Sequence, residues 1–316
     1  MKFMKLINNI VAGISFISLF SCNTTFIDKE TTTSGHIKIY ADESFAPIIN
    51  AEVEAYKYSY PEATINQAFL PEDEAIQAFV KDTARVVFLT RELNSDEKKY
   101  FNSIKLEPKT THIATDAIAF IVNPNNPDSL LSTFQINQII QAKTSVWNKL
   151  GGKNKGNEAI TLVFDQNNSS NIRYASENLK LNFKNKNIFA AGSNEKVIDY
   201  VSSHPFAIGV IGVNWVSDRD DTTTLNFTKK IKVVGISSQE HPSTELDYFQ
   251  PFQAYIAQGI YPFTRKLYLI SREPKTGLGT GLSAYISSDI GQKIILKSGL
   301  LPATAPIRIV KFHKQE

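Results

Sequence analysis

Through most of the chain, short runs of alternating or continuous apolar residues are separated by segments whose apolar positions recur at helical spacing. His36-Ile-Lys-Ile-Tyr40 alternates as a strand does. Pro47 to Tyr58 places Ile48, Val53 and Tyr56 on one helical face, with Pro47 suited to the first turn. Thr64 to Leu70 then predicts a strand, Pro71 to Val80 a helix, Ala84 to Leu89 a buried strand and Ser95 to Phe101 a short capped helix. A long apolar strand, Ile113 to Val122, runs into the turn cluster Asn123-Pro-Asn-Asn-Pro127. Beyond it the pattern predicts a helix over Phe134 to Gln141, a strand over Ala159 to Phe164 and helices over Ile172 to Lys180 and Glu195 to Ser202. Ala207 to Ile211, Lys232 to Ile236, Ala254 to Gln258 and Leu267 to Ile270 read as strands, and Leu282 to Lys297 as the closing helix. Strands alternating with helices predict an α/β fold with mostly parallel sheets flanked by helices.

The first residues follow another pattern. Lys2 and Lys5 precede an apolar run from Ile7 to Phe20, which has signal-peptide length and is short for a membrane span. It closes on Leu19-Phe-Ser-Cys22, which contains the only cysteine of the 316 residues. An aliphatic, a bulky and a small residue before Cys resemble the lipobox of bacterial lipoproteins. That resemblance implies that Cys22 is lipidated and tethers an exported chain to a membrane. The polar, Thr-rich stretch from Asn23 to Ser34 reads as a flexible tether.

Composition narrows the function. Loss of the leader lowers the formal net charge from +3 to +1, so no strong field for nucleic acid remains. Hydrophobic residues at 42% supply a real core, and the roughly 290 residues after the leader suit two lobes better than one. A single Cys rules out an internal disulfide. Five scattered His, at 36, 112, 204, 241 and 313, offer no pair at metal-ligand spacing. No metal or cofactor is expected, and no nucleophile–base motif points to an enzyme. Ser95-Asp-Glu-Lys98 is read as helix capping, and Gly277-Leu-Gly-Thr-Gly281 lacks the third glycine of a dinucleotide loop.

Three loop-to-helix junctions offer chemistry. Asp42-Glu-Ser-Phe-Ala-Pro47 places Ser44 before one helix, Leu70-Pro-Glu-Asp-Glu74 opens a second, and Asn167-Asn-Ser-Ser-Asn171 opens a third. A helix N-terminus presents free N–H groups and a positive dipole end, so two such ends facing each other make an anion site. Thr90-Arg91 ends the Ala84 strand, where α/β sheets bind ligands, and an arginine there suits an oxyanion.

Together with Ile139-Ile140, Trp147, Leu150-Gly-Gly152, Ala207-Ile-Gly-Val210, Tyr261-Pro-Phe-Thr-Arg-Lys-Leu-Tyr268, Gly291-Gln292 and Gly299-Leu-Leu-Pro302, these junctions resemble the periplasmic phosphate-binding proteins of ABC-type importers, within the type-2 periplasmic-binding-protein superfamily. The resemblance runs from about Gly35 to Pro302. It implies two α/β lobes joined by two crossover strands: residues 35–114 with 257–316 as lobe 1 and 115–256 as lobe 2, after a leader at 1–22 and a tether at 23–34. It also implies a monomeric, non-catalytic solute-binding protein in the cell envelope, periplasmic or surface-exposed, that delivers phosphate or a similar oxyanion to an ABC permease. The ligand-binding residues it implies are Ser44, Phe45, Thr90, Arg91, Asp165, Ser169, Ser170 and Asn171.

The match has departures. Glu72, Asp73 and Glu74 replace a Gly/Ser-rich junction, which predicts that this helix end does not touch the ligand. Arg91 sits where the family carries its proton-accepting Asp, and Asp165 where it carries an Arg. Two readings follow: Arg91 and Asp165 pair across the cleft, or Asp165 accepts the proton. A second function is compatible with these changes, a surface lipoprotein that uses the scaffold for protein interaction or sensing without tight anion binding. If Cys22 carries the lipid, Cys22→Ser should move the protein from the membrane to a soluble exported fraction or stall its processing. Fractionation checks this, and normal cleavage with unchanged membrane retention would defeat it.

Overall fold

The computed structural model describes residues 30–218 and 220–304. Cys22 and the leader lie outside the described residues. One sheet runs through the molecule in the order β2-β1-β3-β11-β4-β8-β6-β7, with β12 and β9 also paired to β4. The strands are β1 (Gly35–Asp42), β2 (Ala63–Leu70), β3 (Val86–Leu89), β4 (Lys109–Val122), β5 (Leu130–Ser132), β6 (Thr161–Phe164), β7 (Ile188–Ala190), β8 (Ala207–Gly212), β9 (Lys232–Val233), β10 (Gly235–Ser237), β11 (Thr264–Ser271) and β12 (Leu301–Pro302). β5 and β10 form a separate parallel pair.

The outer strands of each half are parallel and the antiparallel pairings gather around β4 and β11. β4 belongs to both halves. Its residues up to Ala117 pair with β11, and from Ile118 onward with β8. The chain returns to the first half just before β11, where Ile118 N–H donates to Phe263 O at 2.9 Å and Tyr261 Oη to Ile118 O at 2.7 Å. This is the two-lobe arrangement expected from the sequence.

Alternation along the strands explains the covering layers. On β4, Ile118, Phe120 and Val122 face one apolar cluster while Ala119 and Ile121 face another. On β3, Val86 and Phe88 join the first cluster, and Val87 and Leu89 pack on the far face of lobe 1. Strands buried on both faces demand helices on both sides. These are α1 (Ala46–Ser59), α2 (Glu72–Val80), α3 (Ser95–Ser103), α4 (Thr133–Ile140), α5 (Ser170–Leu179), α6 (Asn194–Ser203), α7 (Thr222–Lys230), α8 (Gln253–Ala257), α9 (Leu278–Ser287) and α10 (Asp289–Lys297).

Several elements differ from expectation. The run at Ala254 is the helical turn α8, because the Tyr255 and Ile256 N–H groups fold back onto Phe252 O. Gly259, at φ +67°, then reverses the chain. The closing helix is two helices with a corner at Ser288, whose Oγ donates to Tyr285 O at 2.6 Å. Gly291 permits that corner, since a Cβ there would lie 2.5 Å from the Ile286 backbone. Lys232 to Ile236 splits between two sheets: Val234 donates to Phe120 O on β4 and Gly235 pairs with Leu130. Residues 30–34 of the expected tether lie against the body, where Thr32 O accepts from Tyr56 Oη and Glu30 from the Leu278 N–H.

One core residue conflicts with its surroundings. Glu52 of α1 is 1% exposed, and both carboxyl oxygens lack a hydrogen-bond partner. Burial pushes its carboxyl up to about 8. A carboxylic acid raised this way is protonated when folded and ionised when unfolded, so stability is lost as pH climbs from about 4.5 to 8. Glu52→Gln should melt near wild type at pH 4.5 and clearly higher at pH 8. A melting difference that does not widen across that range would contradict the assignment.

Candidate functional site

Strand ends and helix starts meet where the two halves of the sheet face each other. β1 ends at Asp42, a fully buried residue whose carboxylate is the centre of the arrangement. Its Oδ1 accepts from Ser44 N at 2.9 Å and Ser170 Oγ at 2.8 Å. Its Oδ2 accepts from Glu72 N at 3.0 Å and Ser170 N at 2.9 Å. Those donors begin the turn before α1, the helix α2 and the helix α5, so three chain starts from two lobes converge on one carboxylate. Four donors saturate the acceptor capacity of a carboxylate.

Asp165 forms a second centre, also fully buried, at the end of β6. It accepts from Ser169 Oγ at 2.5 Å, Ser44 Oγ at 3.1 Å, Asn171 Nδ2 at 3.1 Å and Asn194 Nδ2 at 3.2 Å. Ser169 also caps α5 by accepting from Ile172 N. Glu43 reaches across to the start of α6, accepting from Asn194 N at 3.0 Å. Asn214 Nδ2 and Trp215 Nε1, just past β8, both donate to Ser44 O, at 2.8 and 2.9 Å. Gly212 allows this approach, because a Cβ there would sit 3.2 Å from Ser44 O.

Two arginines complete the cluster. Arg265, on β11 and 7% exposed, pairs with the buried Asp116 through Nε at 2.8 Å and donates through Nη1 to Ser170 Oγ at 3.0 Å. Its guanidinium lies over the Phe45 ring, 4.9 Å from the centroid. Its Nη2 has no hydrogen-bond partner. Arg173 of α5 bridges the lobes by pairing with Glu72 and donating to Thr90 Oγ1. Glu72 in turn accepts from Thr90 N at 2.6 Å.

Seven of the eight residues singled out from sequence therefore meet in this cluster: Ser44, Phe45, Thr90, Asp165, Ser169, Ser170 and Asn171. Arg91 does not. It forks onto Glu97 of its own lobe, 2.8 Å on each arm, so it does not pair with Asp165. The cause is local: Asn94 and Glu97 form the capping box of α3, which turns the Glu97 carboxylate back toward Arg91. The Glu72 junction, expected not to touch the ligand, supplies a backbone donor to the centre and an ion pair across the lobes. Sequence reasoning also missed Asp42, Glu43, Asp116, Arg173, Asn194 and Arg265. A charge within an apolar strand was the available signal for Asp116 and Arg265.

The charge balance is unusual. Five carboxyls, those of Asp42, Glu43, Glu72, Asp116 and Asp165, face the guanidiniums of Arg173 and Arg265. Burial pushes Glu43 up to about 7 and Asp165 up to about 6, with neighbouring Asp42 adding to both. Asp42 and Asp116 are also raised, chiefly by burial. For Glu72 burial acts the same way, but Arg173 beside it wins and holds its carboxyl below the usual range.

The chain belongs to the PBP superfamily: the superfamily's domain profile matches residues 28–289. It is 22% identical over 295 residues to the phosphate-binding protein PstS of Pseudomonas aeruginosa, spanning 88% of this chain and 86% of that one. To PstS 2 of Streptococcus pneumoniae it is 29% identical over 135 residues, 40% of this chain and 43% of the other. Among solved structures, a putative phosphate ABC transporter substrate-binding protein with bound phosphate from Clostridium perfringens superposes with a TM-score of 0.69 at 22% identity, over 85% of this chain and 100% of that one. An ABC-type phosphate transport receptor from Vibrio cholerae gives 0.62 at 20% identity, over 85% and 100%. The relatives are named as binding proteins or transport receptors. No helix among the described residues is long and apolar enough to cross a membrane.

Glu43 and Asp165 set the sign of one pH effect. Their folded-state values lie above the unfolded ones, so between about pH 4 and 7 the folded state holds more protons and stability falls as pH rises. Asp165→Asn should flatten that slope in a pH series of melting curves. A slope unchanged by the substitution would show that Asp165 does not titrate in this window.

Proposed function

We propose that this protein is an extracytoplasmic solute-binding protein, anchored by lipid at Cys22, that holds phosphate or a related tetrahedral oxyanion between its lobes and delivers it to an ABC-type importer. The observation that carries this reading is the convergence of backbone donors from three chain starts, on both lobes, upon a single pair of carboxylate oxygens at Asp42. Such a donor set favours an oxyanion through hydrogen bonds and dipole ends together. The unpartnered Nη2 of buried Arg265, beside the same cluster, supports it. Superfamily membership and likeness to proteins named as phosphate-binding point the same way. Closure of the lobes around the ligand then forms the face that a permease recognises.

A second reading, a surface lipoprotein for protein interaction or sensing without tight anion binding, draws support from the excess of carboxyls in the cleft. Calorimetric titration of the purified protein with phosphate, arsenate, sulfate and molybdate separates the two. One-to-one saturable binding of phosphate is the expected outcome. Absence of heat with all four anions at millimolar concentration would favour the second reading.

A further inference from the structure

Asp42 is the feature that an anion-binding cleft does not require. Its carboxylate uses the Ser44, Glu72 and Ser170 N–H groups and the Ser170 hydroxyl at 2.8–3.0 Å. Two of these donors belong to Ser170 in the second lobe and two to the first, so the carboxylate ties the lobes together from within. Asp42 and an incoming oxyanion want the same donors, and both cannot use them. We infer that Asp42 is a built-in counterpart of the solute: it holds the lobes closed with no anion bound, and an entering oxyanion must displace it. This inference rests on the reading of the cleft as an oxyanion site.

The surroundings agree. Besides Asp42, the donors of Ser44, Ser169, Asn171 and Asn194 are also turned on internal carboxyls, those of Asp165 and Glu43. Across the lobes, Arg173 pairs with Glu72, and Asn214 and Trp215 grip Ser44 O. The four acceptor positions of Asp42 are thus all filled by the chain's own groups, while Nη2 of Arg265 beside them keeps no partner. Shortening Asp42 removes the carboxylate while leaving the backbone donors, which a free anion of similar size fits.

Trp215 provides the readout, because its indole N–H reaches Ser44 O only when the lobes meet, whereas Trp147 is buried in the second lobe. The experiment compares tryptophan emission and calorimetric phosphate affinity for the purified full-length wild type and Asp42→Ala, each first in phosphate-free buffer. Wild type is expected to show closed-form emission that phosphate does not change. Asp42→Ala is expected to emit at longer wavelength, to return to the wild-type emission on adding phosphate or formate, and to bind phosphate at least tenfold more tightly. Wild-type emission that shifts to shorter wavelength on adding phosphate would overturn the inference, as would equal phosphate affinity in the two proteins. If Asp42→Ala opens but no anion recloses it, Asp42 remains the closing element and the oxyanion reading fails instead. Should Asp42→Ala not fold, Asp42→Asn keeps the size and one acceptor oxygen while setting an amide against the remaining donors. It is expected to open in the same way, and a closed Asp42→Asn would count against the inference.

Discussion

A carboxylate removed from water needs every lone pair answered, and in this protein that requirement falls on Asp42. Its partners come from positions 44, 72 and 170, which no local stretch of chain brings together. β1 must end where α2 begins, and α5 must start against both. The second lobe is therefore tied to the first by the hydrogen-bonding needs of a buried group as well as by the apolar cluster that runs through both. The other carboxyls of the cleft are partnered by amides, hydroxyls or a guanidinium, although Asp116 leaves Oδ1 without a hydrogen bond. Glu72 alone is held well ionised, because Arg173 lies against it.

Most of the fold was legible because periodicity reports burial. β3 and the Ala117 to Val122 part of β4, with alternate residues in clusters on opposite faces, appear in the sequence as unbroken apolar runs. The errors arose where short apolar runs carry too few residues to show a period. Ala254 to Gln258 is apolar enough for a strand, yet Phe252 O captures two N–H groups and makes it a helical turn. The corner at Ser288 was hidden because the residues on both sides keep helical spacing. Small elements such as β7 and α7 were missed, since β7 is only three residues long and little buried and α7 is mostly polar.

Site legibility divided along a different line. Ser44, Ser169, Ser170 and Asn171 were readable because helix starts have a local sequence signature. Asp42 stands two residues from Ser44 in the same loop-to-helix junction, but nothing local distinguishes a capping aspartate from one that also receives donors 30 and 128 residues away. Arg91 failed for the complementary reason. Its position at a strand end suggested the cleft, whereas a capping glutamate six residues on claimed its guanidinium. The cleft's actual arginines, Arg173 and Arg265, sit inside regular elements, where the one mark in the sequence is the charge that Arg265 places in a strand.

The place of β11 carries a consequence for how the molecule is made. It lies between β3 and β4 in the middle of the first half-sheet, yet it is supplied by residues 264–271, after the whole second lobe. Until that segment arrives, β3 and β4 each expose a hydrogen-bonding edge, and the first lobe cannot close its sheet. As the chain folds, the second lobe, contiguous from β5 to β10, is able to complete first, and the lobe begun earliest finishes last. The open edges of that interval are where a partly made chain is most exposed to wrong pairing.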